Sequence, residues 1–548
     1  MKSRVVIWLA LLPLLVAACG SGGGSSATTT SSGSGASATT KVDSNPKVLN
    51  IVAGSEQQLV LDQIVVPWCK SHGLTCHYTL LGSVDQARLL ASGNAPYDAF
   101  WFASSVFEQL GDTNNSLRDV EPIFTTPIVF AGWKSEMERL GLVGHPVTIG
   151  DILNAVLSKK TTVWATNPTQ SNSGATALFA FLNYFAGNKP GQQLTLSQLA
   201  EPKVKAAVTQ FIRAIASTPP STGTMMDDCI AMDNVCKTQF TYEDLAIQTN
   251  EQLVKEGHEP LYIVYPIGSL AISDAPLGFL PHGTNPDKEA NFKALQEYLL
   301  SPEGQAKAEA IGRRPTSSIG LSLPGADPKV FNPAWGVEAN LKAQTITYPA
   351  AAVIEKVLDN YQLAYRRPVD IAYCLDGSGS MDSNGGWNGV EASVKLLFDP
   401  VQAQRYLLQI APTDRTTVLV FSDAINLDQT VDGNAPADLA KLRAALAAQG
   451  PGGGTGIYDC LQKATGELAK DTSGTRKKLI VLMTDGQNNT GLDHIPDALK
   501  SARIPVIAIA YGDDADTSTL QQIADQTGGT FIASSDLVQA LRNATAYK

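Results

Sequence analysis

Asp376-Gly377-Ser378-Gly379-Ser380 follows a short apolar run of Val369, Ile371, Ala372, Tyr373 and Leu375. That run reads as a strand buried on both faces, as strands of a parallel sheet are. Asp-x-Ser-x-Ser is a weak pattern alone, and its weight comes from two later segments. Gly452-Gly453-Gly454-Thr455 opens a helical stretch, and Leu479-Ile480-Val481-Leu482-Met483 runs into Thr484-Asp485-Gly486. Parallel strands end at one edge of a sheet, where open α/β folds place their ligands. Asp376, Ser378, Ser380, Thr455 and Asp485 are therefore expected to converge. All offer oxygen, which suits Mg²⁺, with Mn²⁺ or Ca²⁺ as alternatives, and does not suit Zn²⁺. Serines after a strand also cap helices, but three separated segments agreeing in order favour the metal reading.

These segments resemble the metal-ion-dependent adhesion site of the von Willebrand factor A family. The resemblance runs from about residue 366 to the end of the chain. It implies that Ser378, Ser380 and Thr455 supply hydroxyl ligands, with Asp376 and Asp485 as the acidic residues. It also implies one coordination position left for the carboxylate of a protein partner. Further strands are expected at Thr417–Ser422, Pro505–Tyr511 and Gly529–Ala533. Helical stretches alternate with them, giving a doubly wound, mainly parallel, Rossmann-like sheet.

The start of the chain sets an expected address. Lys2 and Arg4 precede an apolar core, Val5 to Val16, too short to span a bilayer. Val16-Ala17-Ala18-Cys19 looks like a bacterial lipobox, which implies cleavage and lipid on Cys19. Gly20 to Thr40 is almost entirely Gly, Ser, Ala and Thr, a composition that buries no core and reads as a flexible tether. No later segment offers about 18 uninterrupted apolar residues, so lipid is the only expected membrane anchor, on the extracytoplasmic face.

At 548 residues the chain exceeds what one core usually supports. A net charge of −11 without a basic run argues against a nucleic-acid partner. Of the seven cysteines, Cys69/Cys76 and Cys229/Cys236 are close in sequence and, outside the membrane, read as local disulfides. Cys374 and Cys460 are either a third bridge or two buried thiols.

Residues from about 46 to 335 have another rhythm. Strands at Val48–Ala53, Cys76–Leu81, Tyr97–Phe102, Val163–Thr166 and Tyr262–Pro266 alternate with helical stretches. The Gly54-Ser55 and Gly82-Ser83 turns, Tyr97-Asp98, Asn167 to Gly174, Tyr242-Glu243 and Arg313-Arg314-Pro315 together are similar to bacterial extracellular solute-binding proteins of the two-lobed class. Ser55, Ser83, Ser104 and Ser173 stand at helix starts, where free N–H groups and the helix dipole favour a polar or anionic solute. Their other reading is as helix caps.

The expected organisation is a lipoprotein signal peptide (1–19), a tether (20–45), a solute-binding-like module (46–347), a helical connector (348–366) and an A-type domain (367–548). The connector is short and not Gly/Ser-rich, so the modules are expected to pack. Enzyme readings fare poorly. The chain has no phosphate-binding P-loop, no His-Glu-x-x-His pair and no Gly-x-Ser-x-Gly elbow, and its six histidines are scattered. Two binding functions lead. One is a surface lipoprotein that captures a protein through its metal, with the first module as sensor or scaffold. The other is the receptor of an ABC importer, delivering a small solute to a permease. Metal-assisted hydrolysis is a distant third.

Overall fold

The computed structural model describes residues 41–316, 321–382, 386–511, 515–533 and 537–546. The expected signal segment, Cys19 and residues 20–40 of the expected tether lie outside the described residues. No helix among the described residues is long and apolar enough to cross a membrane.

The first module has two lobes, each built on its own sheet. In the first lobe Val48–Ala53 pairs in parallel with Thr75–Leu80 and Ala99–Trp101, and Pro276–Phe279 and Arg118–Pro122 complete a five-stranded sheet. The second lobe is organised around the long strand Phe124–Trp133, which pairs with Thr238–Tyr242, Leu261–Val264, Ala271–Ser273 and Arg314–Pro315. The chain passes between lobes at Ile123, at Asp274–Ala275 and again between Glu309 and Arg314, and these three crossings form the hinge. The strand Phe124–Trp133, absent from the strands expected from sequence, carries Pro127, which supplies no ladder donor.

The helix Ala351–Asn360 and its continuation Tyr361–Tyr365 form the connector. Val353, Ile354, Val357, Leu358, Tyr361 and Tyr365 are buried in the same apolar cluster as Phe102, Phe130 and Phe179 of the first module. The connector is therefore packed, as its helical apolar spacing indicates. Arg366 closes it with two hydrogen bonds to Asp414 at 3.0 and 2.5 Å.

The C-terminal sheet has six strands in the order Ile425–Asp432, Arg415–Phe421, Val369–Asp376, Lys477–Thr484, Val506–Ala510, Thr530–Ala533. All neighbours are parallel except the first pair. Successive residues of Val369–Asp376 bury on opposite faces. Ile371, Tyr373 and Leu375 join one apolar cluster, and Ala372 and Cys374 join the other. Both faces are helix-covered, which is why the run reads as continuously apolar rather than alternating. The antiparallel edge strand Ile425–Asp432 is half-exposed and rich in Asn, Asp and Gln, and the sequence reading did not include it.

Cysteine pairs Cys69–Cys76, Cys229–Cys236 and Cys374–Cys460 are disulfides. The third ties the central strand to the helix Ile457–Ala469, resolving the alternative left by the sequence.

Candidate metal centre and inter-lobe cleft

Leu375 and Met483 are register partners on adjacent parallel strands, so Asp376 and Thr484 emerge side by side at the carboxyl edge. Thr484 Oγ1 donates to Asp376 Oδ2, and Asp376 Oδ1 accepts from Ser378 N at 2.8 Å. Both oxygens of this buried carboxylate are thus fixed. Ser378 Oγ lies 3.1 Å from Ser380 Oγ, and Ser380 Oγ donates to Asp485 Oδ1 at 2.8 Å. The glycine loop is laced to this segment by Gly452 N to Gly377 O at 2.9 Å and Gly379 N to Gly453 O at 3.0 Å. A methyl group on Gly486 would stand 3.3 Å from Thr455 Oγ1 and 3.5 Å from Ser380 Oγ, which places those hydroxyls around one small space.

The five sequence-predicted residues therefore meet. Sequence reasoning missed the residues that hold them. Thr455 N donates to Asn489 Oδ1 at 2.7 Å, and Gly454 N donates to Asp423 Oδ1 at 2.8 Å. Gly453 has φ +81°, and a Cβ there would stand 2.4 Å from Asp423 Oδ2, so only glycine fits without a shift. Asp423 stands just past the carboxyl end of Arg415–Phe421, a position that could have flagged it.

Burial pushes the Asp376 carboxyl above its ordinary range, against hydrogen bonds from Thr484 and Ser378, and the Asp485 charge pushes it further. Asp485 is raised as well, mainly by burial. The edge therefore carries two carboxylates with raised proton affinity, Asp376 buried and Asp485 part-buried, beside three hydroxyls. Among the described residues no three His, Cys, Asp or Glu side chains group together, and the oxygen donors at this edge are two carboxylates and three hydroxyls. That fits a hard oxygen-seeking ion.

The four serines of the first module fall into two groups. Ser55 Oγ accepts from Gly223 N at 3.1 Å, and Ser173 Oγ lies 2.7 Å from Thr222 Oγ1, so both reach the start of the helix Thr222–Ala231. Ser83 Oγ accepts from Ala103 N at 3.0 Å, and Ser104 caps its own helix through Val106 N at 3.3 Å. Arg313, part of the Arg313-Arg314-Pro315 segment, lies in a charged cluster at the hinge whose acidic members Asp244 and Glu56 are not among the expected site residues. There Arg313 pairs with Asp244 at 2.9 Å, both fully buried, and Arg313 also donates to the Glu56 carbonyl. Glu56 Oε1, both polar atoms of Gln57 and the Nε and Nη1 of Arg313 have no hydrogen-bond partner of normal geometry. Burial pushes the Glu56 carboxyl up to about 7. Asn172 bridges Tyr242 Oη at 2.9 Å and Ser273 Oγ at 2.8 Å.

Comparison with known proteins matches two separate stretches of the chain to family descriptions. Residues 49–314 match the family described as bacterial extracellular solute-binding protein, and residues 370–546 match the von Willebrand factor type A domain. Calcium-activated chloride channel regulator 3A-1 of Mus musculus is 31% identical over 178 residues, 32% of this chain and 18% of that protein. The chain thus spans less than a fifth of that relative's length. Similar solved structures include periplasmic binding protein AfuA from Actinobacillus pleuropneumoniae, with 15% identity, 57% of this chain, 98% of that one and a TM-score of 0.42. The sulfate-binding protein SubI from Mycobacterium tuberculosis H37Rv has 15% identity, 57% and 99% coverage and a TM-score of 0.41. A von Willebrand factor type A structure from Catenulispora acidiphila has 19% identity, 34% and 44% coverage and a TM-score of 0.28. The chain joins a two-lobed bacterial extracellular solute-binding domain to a C-terminal von Willebrand factor type A domain.

Proposed function

We propose that this protein is a lipid-anchored, extracytoplasmic binding protein that captures a protein partner through a divalent cation in its A domain. Asp376, Ser378, Ser380, Thr455 and Asp485 would hold the ion, with Mg²⁺ first and Mn²⁺ or Ca²⁺ as alternatives. The ion supplies a Lewis-acid centre for a partner's carboxylate. The chain's own residues fix its position and leave Ser380 at the surface, where a partner can approach. The observation carrying this reading is the Ser378–Ser380–Asp485 hydroxyl–carboxylate chain at the edge of the sheet. Binding rather than catalysis is the activity proposed, and the first module serves as sensor or scaffold. Capture of cell-surface proteins in Mg²⁺ and in chelator, with Asp376→Ala alongside, tests it. Proteins held only by the wild type in Mg²⁺ support the reading; identical captured sets contradict it. Lipid on Cys19 is tested separately, since Cys19→Ala should move the protein from the membrane to the soluble exported fraction.

A second reading, the receptor of an ABC importer for a small polar or anionic solute, is favoured by one observation. Unpartnered buried polar atoms of Glu56, Gln57 and Arg313 stand where the lobes meet. Buried polar groups without partners are costly and point to an absent water or ligand. A thermal-shift screen of small solutes on the whole protein distinguishes the readings, because a bound solute raises apparent stability by mass action.

A further inference from the structure

The helix Leu537–Ala546 of the A domain has two working faces. Ala540, Leu541 and Ala544 are fully buried in the A-domain core, in the cluster that also holds Met381, Trp387 and Val390. Gln539, Arg542 and Asn543 point the other way, onto the solute-binding module. Arg542 is 4% exposed and forms an ion pair with Asp85, itself 6% exposed. The same guanidinium nitrogen donates to the carbonyl of Thr169 at 2.7 Å. Gln539 Nε2 donates to Asp85 Oδ2 at 3.2 Å, and Asn543 Oδ1 accepts from Gln170 Nε2 at 3.2 Å.

The two targets belong to different lobes. Asp85 sits in the helix Ser83–Ala91, which follows a strand of the first sheet. Thr169 and Gln170 sit in the loop after Val163–Trp164, a strand of the second. The lobes touch at this point, where Val84 N donates to Gln170 O at 3.2 Å. A Cβ on Gly82 would stand 2.2 Å from Gln170 O, so the approach of the lobes is close. The connector adds a further tie. Gln362 Nε2 donates both to Thr169 Oγ1 at 3.1 Å and to the Leu407 carbonyl of the A domain at 2.7 Å.

We propose that Arg542 is a latch by which the A domain holds the two lobes of the solute-binding module closed. One guanidinium spans the lobe boundary, bonding a carboxylate on one side and a carbonyl on the other. The lobes cannot separate at Gln170–Val84 while Arg542 keeps both partners. Opening the module therefore requires withdrawal of this face of the terminal helix, and breaking the pair leaves Asp85 a buried carboxylate without its counter-ion. The consequence is that access to the cleft is governed by the A domain. This holds independently of which solute, if any, the cleft takes.

Hydrogen exchange of the whole protein, read by mass spectrometry, tests the latch. The amides of Val84 and Gly223 each donate across the lobe boundary, to Gln170 O and to Ser55 Oγ. In Arg542→Ala their exchange should rise by at least about tenfold, while the A-domain strands Val369–Asp376 and Lys477–Thr484 stay protected. The exchanged pair, Asp85→Arg with Arg542→Asp, should restore slow exchange. Wild-type exchange at Val84 and Gly223 in Arg542→Ala overturns the proposal. If that variant also loses protection in the A-domain strands, Asp85→Asn decides, because it leaves every A-domain side chain in place. Fast exchange at the two amides then supports the latch, and slow exchange overturns it.

Discussion

Ser380 Oγ donates to Asp485 Oδ1 at 2.8 Å although the two residues are 105 positions apart in the chain. The contact exists because the strands Val369–Asp376 and Lys477–Thr484 run parallel in register and end together. Each then releases its loop at the same edge. The metal reading depends on that coincidence more than on any single residue, since neither loop carries enough oxygen donors alone.

Residues that orient the ligands should matter nearly as much as the ligands. Asn489 holds the Thr455 backbone at 2.7 Å and offers no charge to the ion. Asn489→Ala is expected to weaken divalent-ion affinity about 10–100-fold, the usual cost of losing an outer-shell partner. Titration with Mn²⁺ followed by electron paramagnetic resonance reads this directly, and wild-type affinity would exclude a supporting role.

How much of this arrangement was legible depended on whether the signal was local. Asp376, Ser378, Ser380, Thr455 and Asp485 announced themselves because each follows a strand or opens a helix in its own segment. Asp423 and Asn489 did not, because their partners are backbone N–H groups of a distant loop. Asp85 and Arg542 read as ordinary charged residues on amphipathic helices, and only the packing of the modules makes them a buried pair. The half-exposed edge strand Ile425–Asp432 has a polar face and Phe124–Trp133 carries Pro127, and neither is among the strands expected from sequence.

The hinge cluster makes the stability of the first module pH-dependent. Burial lifts the Glu56 carboxyl from 4.5 to about 7. Between those values the unfolded chain has released this proton while the folded protein retains it. Stability from this group is therefore greatest below about pH 4.5 and falls as pH rises towards about 7, by up to about 3 kcal/mol. Urea unfolding at about pH 5 and pH 7 should show a larger loss for the wild type than for Glu56→Gln. Equal losses would remove Glu56 from the account.

Arg314 and Glu243 form a two-point ion pair, with hydrogen bonds of 2.6 and 2.7 Å, and both side chains are 0% exposed. Arg314→Ala leaves the Glu243 charge buried and uncompensated, so a loss of about 3–5 kcal/mol is expected. Denaturant midpoints of the two proteins check it. A change below about 1 kcal/mol would mean that Tyr265, which also donates to Glu243, suffices to hold the carboxylate.

The central claim is that the A domain holds one divalent cation at the edge where Asp376 and Asp485 meet. Titration calorimetry of Mg²⁺ and Mn²⁺ into the wild type and Asp376→Ala tests it most directly, with circular dichroism confirming that the variant is folded. Saturable binding of one ion per chain in the wild type, absent from a folded Asp376→Ala protein, is the predicted result. Equal heats and affinities in the two proteins would contradict the assignment.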